Sequence, residues 1–278
     1  MAEETNDWQA FTSSQGTSNR PYLHILTSTG SFRIQQGDPD TPIPPAQTFT
    51  KSLMHFDSLA DNKWTDSVND IIWKNNATYT PQIKGSMANF EKCAHFYYSG
   101  RGDKTGNGLM TTPYRSVWEL GNEQFWTIEW WMKMLSLPTA TNYAQIFMHT
   151  NSLGAYKIID VYTGSTYYKM RFRGTDITKP VNHEFSSTIL KDWTHYAYVR
   201  NGAWLYLYAG QKGKVLTKHL AINAGTAYTY PTLGNGAIQL GRLISTIYGY
   251  IHEFRYTKGI ARYTNATETN QTSPWVLD

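Results

Sequence analysis

Acid chemistry on a sugar or peptide needs carboxylates, and this chain places few of them in strand-like runs. Glu129 is the only acid in residues 125–135 (FWTIEWWMKML), and Glu253 the only one in residues 248–256. Hydrolysis of a glycosidic bond needs two carboxylates facing each other across the sugar, about 5 to 10 Å apart. A single acid cannot act as both proton donor and nucleophile. Glu119 and Glu123 precede the strand, where a turn is expected. No enzymatic activity is predicted. Two histidines precede glutamates, His183-Glu184 and His252-Glu253, but neither is followed by the second histidine of a zinc protease motif. These pairs are expected on solvated loop or sheet positions. The glycine-rich stretch 99–108 (SGRGDKTGNG) lacks the Gly-Lys-Ser/Thr ending of a phosphate loop.

The same stretch carries Arg101-Gly102-Asp103, a tripeptide associated with cell adhesion, and Asp103 has the hard oxygen that calcium prefers. Asp103 is the metal candidate, and no cofactor other than a calcium ion there is expected. Asp57, Asp61 and Asp66 in an earlier loop are better explained as turn formers that cap backbone groups. The remaining binding signal is aromatic. Sugars present apolar C–H faces that stack on rings, while neighbouring polar groups fix orientation. Tyr97, Tyr98, Trp131, Tyr143, Tyr167, Tyr168, Trp204 and Tyr206 are candidates to lie outside a core. Of these, Tyr97, Tyr98, Trp131, Tyr143, Tyr168 and Trp204, with Arg101, form the candidate ligand-binding set.

The elements that must position these residues are strands. Residues 193–211 (WTHYAYVRNGAWLYLYAGQ) hold two aromatic and β-branched runs around Asn201-Gly202, the pair that favours a type I′ hairpin turn. Alternation predicts one smaller, apolar face and one tyrosine-rich face, with one of them buried. In residues 125–135, Trp126, Ile128, Trp130 and Met132 alternate against Thr127, Glu129, Trp131 and Lys133. Further strands are expected over 52–56, 71–73, 88–98, 144–149, 155–162, 167–173, 237–243 and 248–256, at the spacing of a sandwich. No apolar period of 3.6 residues runs long enough for a substantial helix. Twenty Tyr and ten Trp, with aromatics at 15% and charged residues at 17%, fit pleated surfaces better than helices. The net charge of +4 is spread along the chain, which argues against a nucleic-acid partner. One cysteine, Cys93, excludes an internal disulfide.

The first twenty residues are polar, and residues 22–26 and 31–35 are predicted to form a short hairpin about Ser28-Thr29-Gly30. The run DPDTPIPP (38–45) then breaks regular structure, because closely spaced prolines fix φ and remove donors. It sets the domain boundary: an N-terminal segment with linker over 1–50 and a main domain over 51–278. No stretch of about twenty apolar residues suggests a membrane span. The opening residues are acidic where a secretory signal would be basic, so synthesis in the cytosol is expected. The sequons at Asn76, Asn265 and Asn270 are then incidental.

Several stretches together resemble a known family. They are Leu53-Met54-His55-Phe56-Asp57, Gly102-Asp103, Phe125-Trp126-Thr127-Ile128-Glu129-Trp130-Trp131, Trp193-Thr194-His195-Tyr196-Ala197, Leu207-Tyr208, and the closing Ile251 to Thr264, with its Lys-Gly-Ile-Ala-Arg-Tyr-Thr. This pattern resembles the concanavalin A-like, laminin G-like jelly-roll domains of bacteriophage structural proteins, over about residues 50–278. The resemblance implies an all-β, two-sheet antiparallel sandwich whose loops bind sugar, protein or calcium, and it places Gly102-Asp103 at the end of a β-turn. Hydrolases of that fold carry Glu-x-Asp-x-x-Glu on one strand, a motif absent here.

The expectation is a non-enzymatic virion protein, a capsid decoration or fibre-associated protein, whose lectin-like domain adheres to cell-surface or mucosal glycans. Residues 1–50 would hold it to other virion proteins. A homo-oligomer suits that role, although no coiled-coil heptads are present. The alternatives are a free carbohydrate-binding lectin and an unrecognised glycoside hydrolase of the same fold.

Overall fold

A computed structural model describes residues 22–27, 30–35, 49–56, 59, 63–68, 71–75, 82–87, 90–96, 110–138, 143–151, 154–163, 167–172, 181–226, 237–241, 248–270 and 275. The chain divides into two compact units, residues 1–47 and 48–278. In the first, strands β1 (Tyr22–Thr27) and β2 (Gly30–Gln35) pair antiparallel, from Tyr22 opposite Gln35 to Thr27 opposite Gly30. The linker prolines lie outside the described residues.

The second unit begins with β3 (Thr50–Met54), β4 (Lys63–Thr65), β5 (Ile72–Asn75), β6 (Gln82–Met87), β7 (Phe90–Phe96) and β8 (Met110–Thr112). It continues with β9 (Phe125–Ser136), β10 (Tyr143–Asn151), β11 (Gly154–Thr163), β12 (Tyr168–Phe172) and β13 (Val181–Phe185). After a five-residue helix α1 (Ser187–Lys191) come β14 (Thr194–Asn201), β15 (Trp204–Gln211), β16 (Leu216–Asn223), β17 (Ile238–Leu240), β18 (Tyr248–Lys258) and β19 (Thr267–Glu268). They form two antiparallel sheets. The eight-stranded one runs β13-β12-β11-β10-β17-β8-β5-β4. The nine-stranded one runs β19-β16-β15-β14-β9-β18-β7-β6, with β3 pairing on β18 beyond β7. The architecture is the two-sheet sandwich that strand spacing predicts.

Alternation explains how the sheets meet. Trp126, Ile128, Trp130 and Met132 of β9 point into the main core, where they meet Ile159, Val161, Met170 and Phe172 of the opposite sheet. Rings bridge the layers: Trp126 stacks on Phe172 at 5.1 Å between centroids, and Phe147 lies 5.3 Å from Phe254. Offset and edge contacts of this kind each add about 0.5–1.5 kcal/mol beyond area burial.

The central hairpin differs from its expectation in two ways. Asn201 pairs with Trp204, so the turn centres on Gly202 and Ala203 rather than on Asn201 and Gly202. Only Gly202 takes a left-handed φ, 61°, as a type II′ turn requires and a type I′ turn does not. The faces are also mixed. Tyr198 opposes Leu207 and Ala197 opposes Tyr208, so each face carries rings from one strand and smaller side chains from the other. Both faces are buried. Tyr196, Tyr198, Leu205 and Leu207 join the main core, whereas Ala197, Val199 and Tyr208 form a second cluster with Leu216 and Tyr263.

That second layer is made by the chain's closing segment. Beyond β18, residues 259–270 cross the outer face of the nine-stranded sheet and end in β19, which pairs with β16. Thr127 Oγ1 donates to the Ile260 carbonyl and accepts from the Arg262 amide. Arg262 reaches the hydroxyls of Thr257 and Thr50. The sequence stretch most specific to the jelly-roll resemblance is thus a strap that holds β9, β18 and β3 from outside.

Candidate functional site

The two strand acids that chemistry would need are both occupied by buried partners. Glu129 is fully buried on β9. It accepts from Arg255 Nε at 2.8 Å and Tyr263 Oη at 2.6 Å, with His195 Nε2 at 3.0 Å. Burial raises its proton affinity, but the charges of Arg255, His195 and Arg262 and the His195 hydrogen bond outweigh it and bring the carboxyl down to about 2. His195 is fixed on its other side by Asn270 at 3.0 Å, whose amide donates to the carbonyls of Gly210 and Gln211. The pattern cross-links four strands and the strap. With every oxygen engaged and no exposure, it is structural.

Glu253 is likewise buried, beside His252 at 5% exposure, which corrects the expectation of solvated positions. A β-bulge between His252 and Phe254 puts Glu253 at a left-handed φ of 51°. The bulge aims its carboxylate at His55 Nδ1, 2.7 Å away, and at the Trp275 amide at 3.1 Å. Burial holds His252 below the usual histidine value. Asp66 is the turn former expected of it: Oδ1 accepts from the amides of Leu53 and Val68 at 2.8 Å each, and Oδ2 from the Ser52 hydroxyl. Asp57 and Asp61 lie outside the described residues.

The predicted ligand-binding residues separate into three groups. Tyr97, Tyr98, Arg101 and Asp103 lie outside the described residues, as does the side chain of Tyr143. Trp131 is 1% exposed, stacks on His195 at 5.2 Å and packs in a buried cluster with Trp193, Tyr250 and Trp275, so its ring is not offered to a ligand. Tyr168 shares the parity of Met170 and Phe172 and packs, partly buried, against the main core. Trp204 remains. It is 43% exposed, and its ring stacks on Tyr206 with 16° between planes and 6.5 Å between centroids.

The backbone explains why Trp204 is held firmly. Trp204, Tyr206 and Tyr208 occupy alternate positions of β15 and so share its outer face. Lys218 Nζ lies 4.0 Å from the Tyr206 ring centre and donates to the Thr264 carbonyl of the strap, clamping Tyr206 behind Trp204. The register sets Phe125, Asn201, Trp204 and Asn223 in one row across β9, β14, β15 and β16. Phe125 is also 43% exposed, giving two open rings with amide side chains between and beside them. Arg200, buried under the hairpin, donates to the carbonyls of Gly202, Gly225 and Thr226 and holds this end of the sheet in shape. Sequence alternation found Trp204. It missed Phe125, whose strand-end exposure has no local signature.

Among the described residues, no group of three or more His, Cys, Asp or Glu could hold a metal ion, and no helix is long and apolar enough to cross a membrane. No protein-family model and no curated protein matches the sequence. Solved structures do. The chain is similar to the binding domain of Paraclostridial Mosquitocidal Protein 1, with 12% identity over 78% of this chain and a TM-score of 0.53. It spans 50% of that domain's length. Domain 4 of AbnA, a GH43 extracellular arabinanase from Geobacillus stearothermophilus solved with arabinotriose, aligns at 14% identity over 77% of this chain and 94% of its own, with a TM-score of 0.49. At such identity, the likeness to the mosquitocidal binding domain is one of fold alone, a β-sandwich.

Proposed function

We propose that this chain is a non-enzymatic adhesion protein of a phage particle, a capsid decoration or fibre-associated component, whose sandwich binds surface glycans. The observation that carries the binding role is the Trp204 platform: an exposed ring, fixed from behind by Tyr206 and Lys218, in a row with exposed Phe125 and flanked by Asn201 and Asn223. Rings held in one orientation lose little entropy on binding, and amides beside them select hydroxyl geometry. Two further points support the role. Glu129 and Glu253 are committed to buried partners, so neither is free to act as an acid or nucleophile in hydrolysis. A solved structure of similar fold is the binding domain of Paraclostridial Mosquitocidal Protein 1. The virion setting rests on the resemblance of the strap and strand motifs to phage jelly-roll domains. Residues 1–50 are the proposed attachment to other virion proteins.

The test has two arms. On a glycan array, the wild-type protein binds a defined set of glycans, and Trp204→Ala loses that signal while keeping its unfolding midpoint. An array without hits, or an unchanged Trp204→Ala profile, refutes the platform. In purified particles, the protein is present in stoichiometric amount and is released when residues 1–50 are removed. Its absence from particles refutes the virion role and leaves a free lectin.

A further inference from the structure

We propose that the Trp204 platform selects a linear, neutral, β1,4-linked glycan laid across the strands, with Phe125 and Trp204 stacking on alternate sugars. This ligand depends on the glycan-binding role above and concerns the same site.

Register and the strap shape the platform into a shelf. Phe125 alternates with Trp126 of the main core, and direct cross-strand partners share a face. Phe125, Asn201, Trp204 and Asn223 therefore all stand on the outer face of the nine-stranded sheet. On β9, β14 and β15, the next position on that face is closed. Thr127 is buried and bonded to Ile260 and Arg262 of the strap. Val199 is buried in the cluster that holds Tyr263, with Ala261 packed against it. Tyr206 lies against the Lys218 ammonium, which the Thr264 carbonyl holds in place. A chain of sugars that covers both rings is thus turned away from the strand direction and runs across the strand ends.

Spacing along the row narrows the occupant. Neighbouring strands lie about 4.8 Å apart, so the two rings are about 9.6 Å apart and the whole row is about 14 Å long. In an extended β1,4-linked pyranose chain each sugar is turned over relative to the last, and the same face returns on every second sugar, a repeat close to two strand spacings. One sugar on Phe125 and the next but one on Trp204 then present equivalent C–H faces to the two rings. The sugars between and beyond them lie over Asn201 and Asn223, whose amides donate and accept as hydroxyls do. Asn223 Oδ1 accepts from the Gly225 amide at 3.0 Å, which fixes that side chain with its NH2 left to donate. None of the four residues in the row is charged, which suits a neutral ligand. An α1,4-linked chain coils and does not keep alternate sugars on a straight row.

Peptides match the row less well. An extended strand presents one face about every 6.7 Å, out of step with the rings. A polyproline II helix repeats at about 9.3 Å, but its prolines carry no N–H, so it offers acceptors alone, whereas hydroxyls match both halves of the Asn201 amide. For a β1,4-linked glycan the order Phe125, Asn201, Trp204, Asn223 sets a length rule: three sugars reach both rings, and a fourth reaches Asn223.

The experiment is isothermal titration calorimetry on the full chain with β1,4-linked oligosaccharides of glucose, mannose and N-acetylglucosamine, from two to six sugars long. Maltooligosaccharides serve as the α1,4-linked control and a polyproline peptide as the competing class. In at least one β1,4-linked series, affinity rises about ten-fold or more from disaccharide to trisaccharide, rises less at the tetrasaccharide and is level beyond it. Maltooligosaccharides of equal length bind about ten-fold or more weakly. Phe125→Ala brings the trisaccharide down to the affinity of the disaccharide, and an unchanged trisaccharide affinity overturns the proposal. Should Phe125→Ala fail to fold, the length profile of the wild type decides alone. Glycan binding that Trp204→Ala abolishes keeps the platform but overturns this ligand if it ignores chain length, favours α1,4 linkage or excludes all three β1,4-linked series. Tighter binding of the polyproline peptide than of any glycan assigns the row to a peptide partner and overturns it too. Binding of no glycan at all removes the platform and this ligand together.

Discussion

Glu129→Gln tests whether the buried network under the strap stabilises the fold as its geometry requires. The carboxyl is fully buried, and its proton affinity falls from the ordinary 4.5 to about 2 because Arg255, His195 and Arg262 favour the charged form. At about 1.4 kcal/mol per pH unit, that difference is worth about 3 kcal/mol of folding stability. The sign follows from the direction. A carboxyl held below its unfolded value stabilises the fold in its ionised form, so the contribution is complete above about pH 5 and disappears as pH falls towards 2. Glutamine keeps the shape and an acceptor for Arg255 but leaves that cation, at 4% exposure, without its counter-charge. Urea unfolding followed by tryptophan fluorescence at pH 7, 5 and 3 gives the readout. The variant is about 3 kcal/mol less stable at pH 7, and the gap shrinks by about half at pH 3, as the wild-type advantage titrates away. A gap that is the same at all three pH values, or below about 1 kcal/mol at pH 7, refutes this assignment of the network's stability to the ionised carboxylate.

Asp66 is expected to act in the opposite sense. Burial, partly offset by its hydrogen bonds, raises its carboxyl from 3.8 to about 6, so its contribution is full below about pH 4 and is lost as pH rises through 6. In urea unfolding, Asp66→Asn should therefore fall further behind the wild type at pH 4 than at pH 8, by about 3 kcal/mol, and a deficit independent of pH would contradict the shift. Gly249→Ala should be among the most damaging single changes. Its Cβ would lie 2.2 Å from the Lys133 carbonyl oxygen and 2.9 Å from Met134 Cα, both backbone atoms of the paired strand. The expected loss is about 3 kcal/mol or more by chemical unfolding. Gly202→Ala enters open space and meets only the left-handed φ of 61°, for about 1–2 kcal/mol. Equal losses at the two glycines would show that strand contact is not the limiting factor at Gly249.

Strand identity was legible in the sequence because alternation is a local property. The runs around Trp126 to Lys133 and Tyr196 to Tyr208 declare themselves by side-chain parity. That Glu129 and Glu253 each stand alone in their strands was legible as well, whereas their burial was not. What parity cannot say is what lies beyond each face. Trp131 and Trp204 are both outward-facing aromatics, yet one is 1% and the other 43% exposed. The difference is made by what packs over each ring: Trp131 lies in a buried cluster with Trp193, Tyr250 and Trp275, whereas Trp204 at the hairpin end is left open. Local chemistry thus determined which residues form strands and how they alternate. Burial, and with it the distinction between a structural ring and a binding ring, was decided by contacts between residues far apart in sequence, because exposure depends on what the rest of the chain places on top.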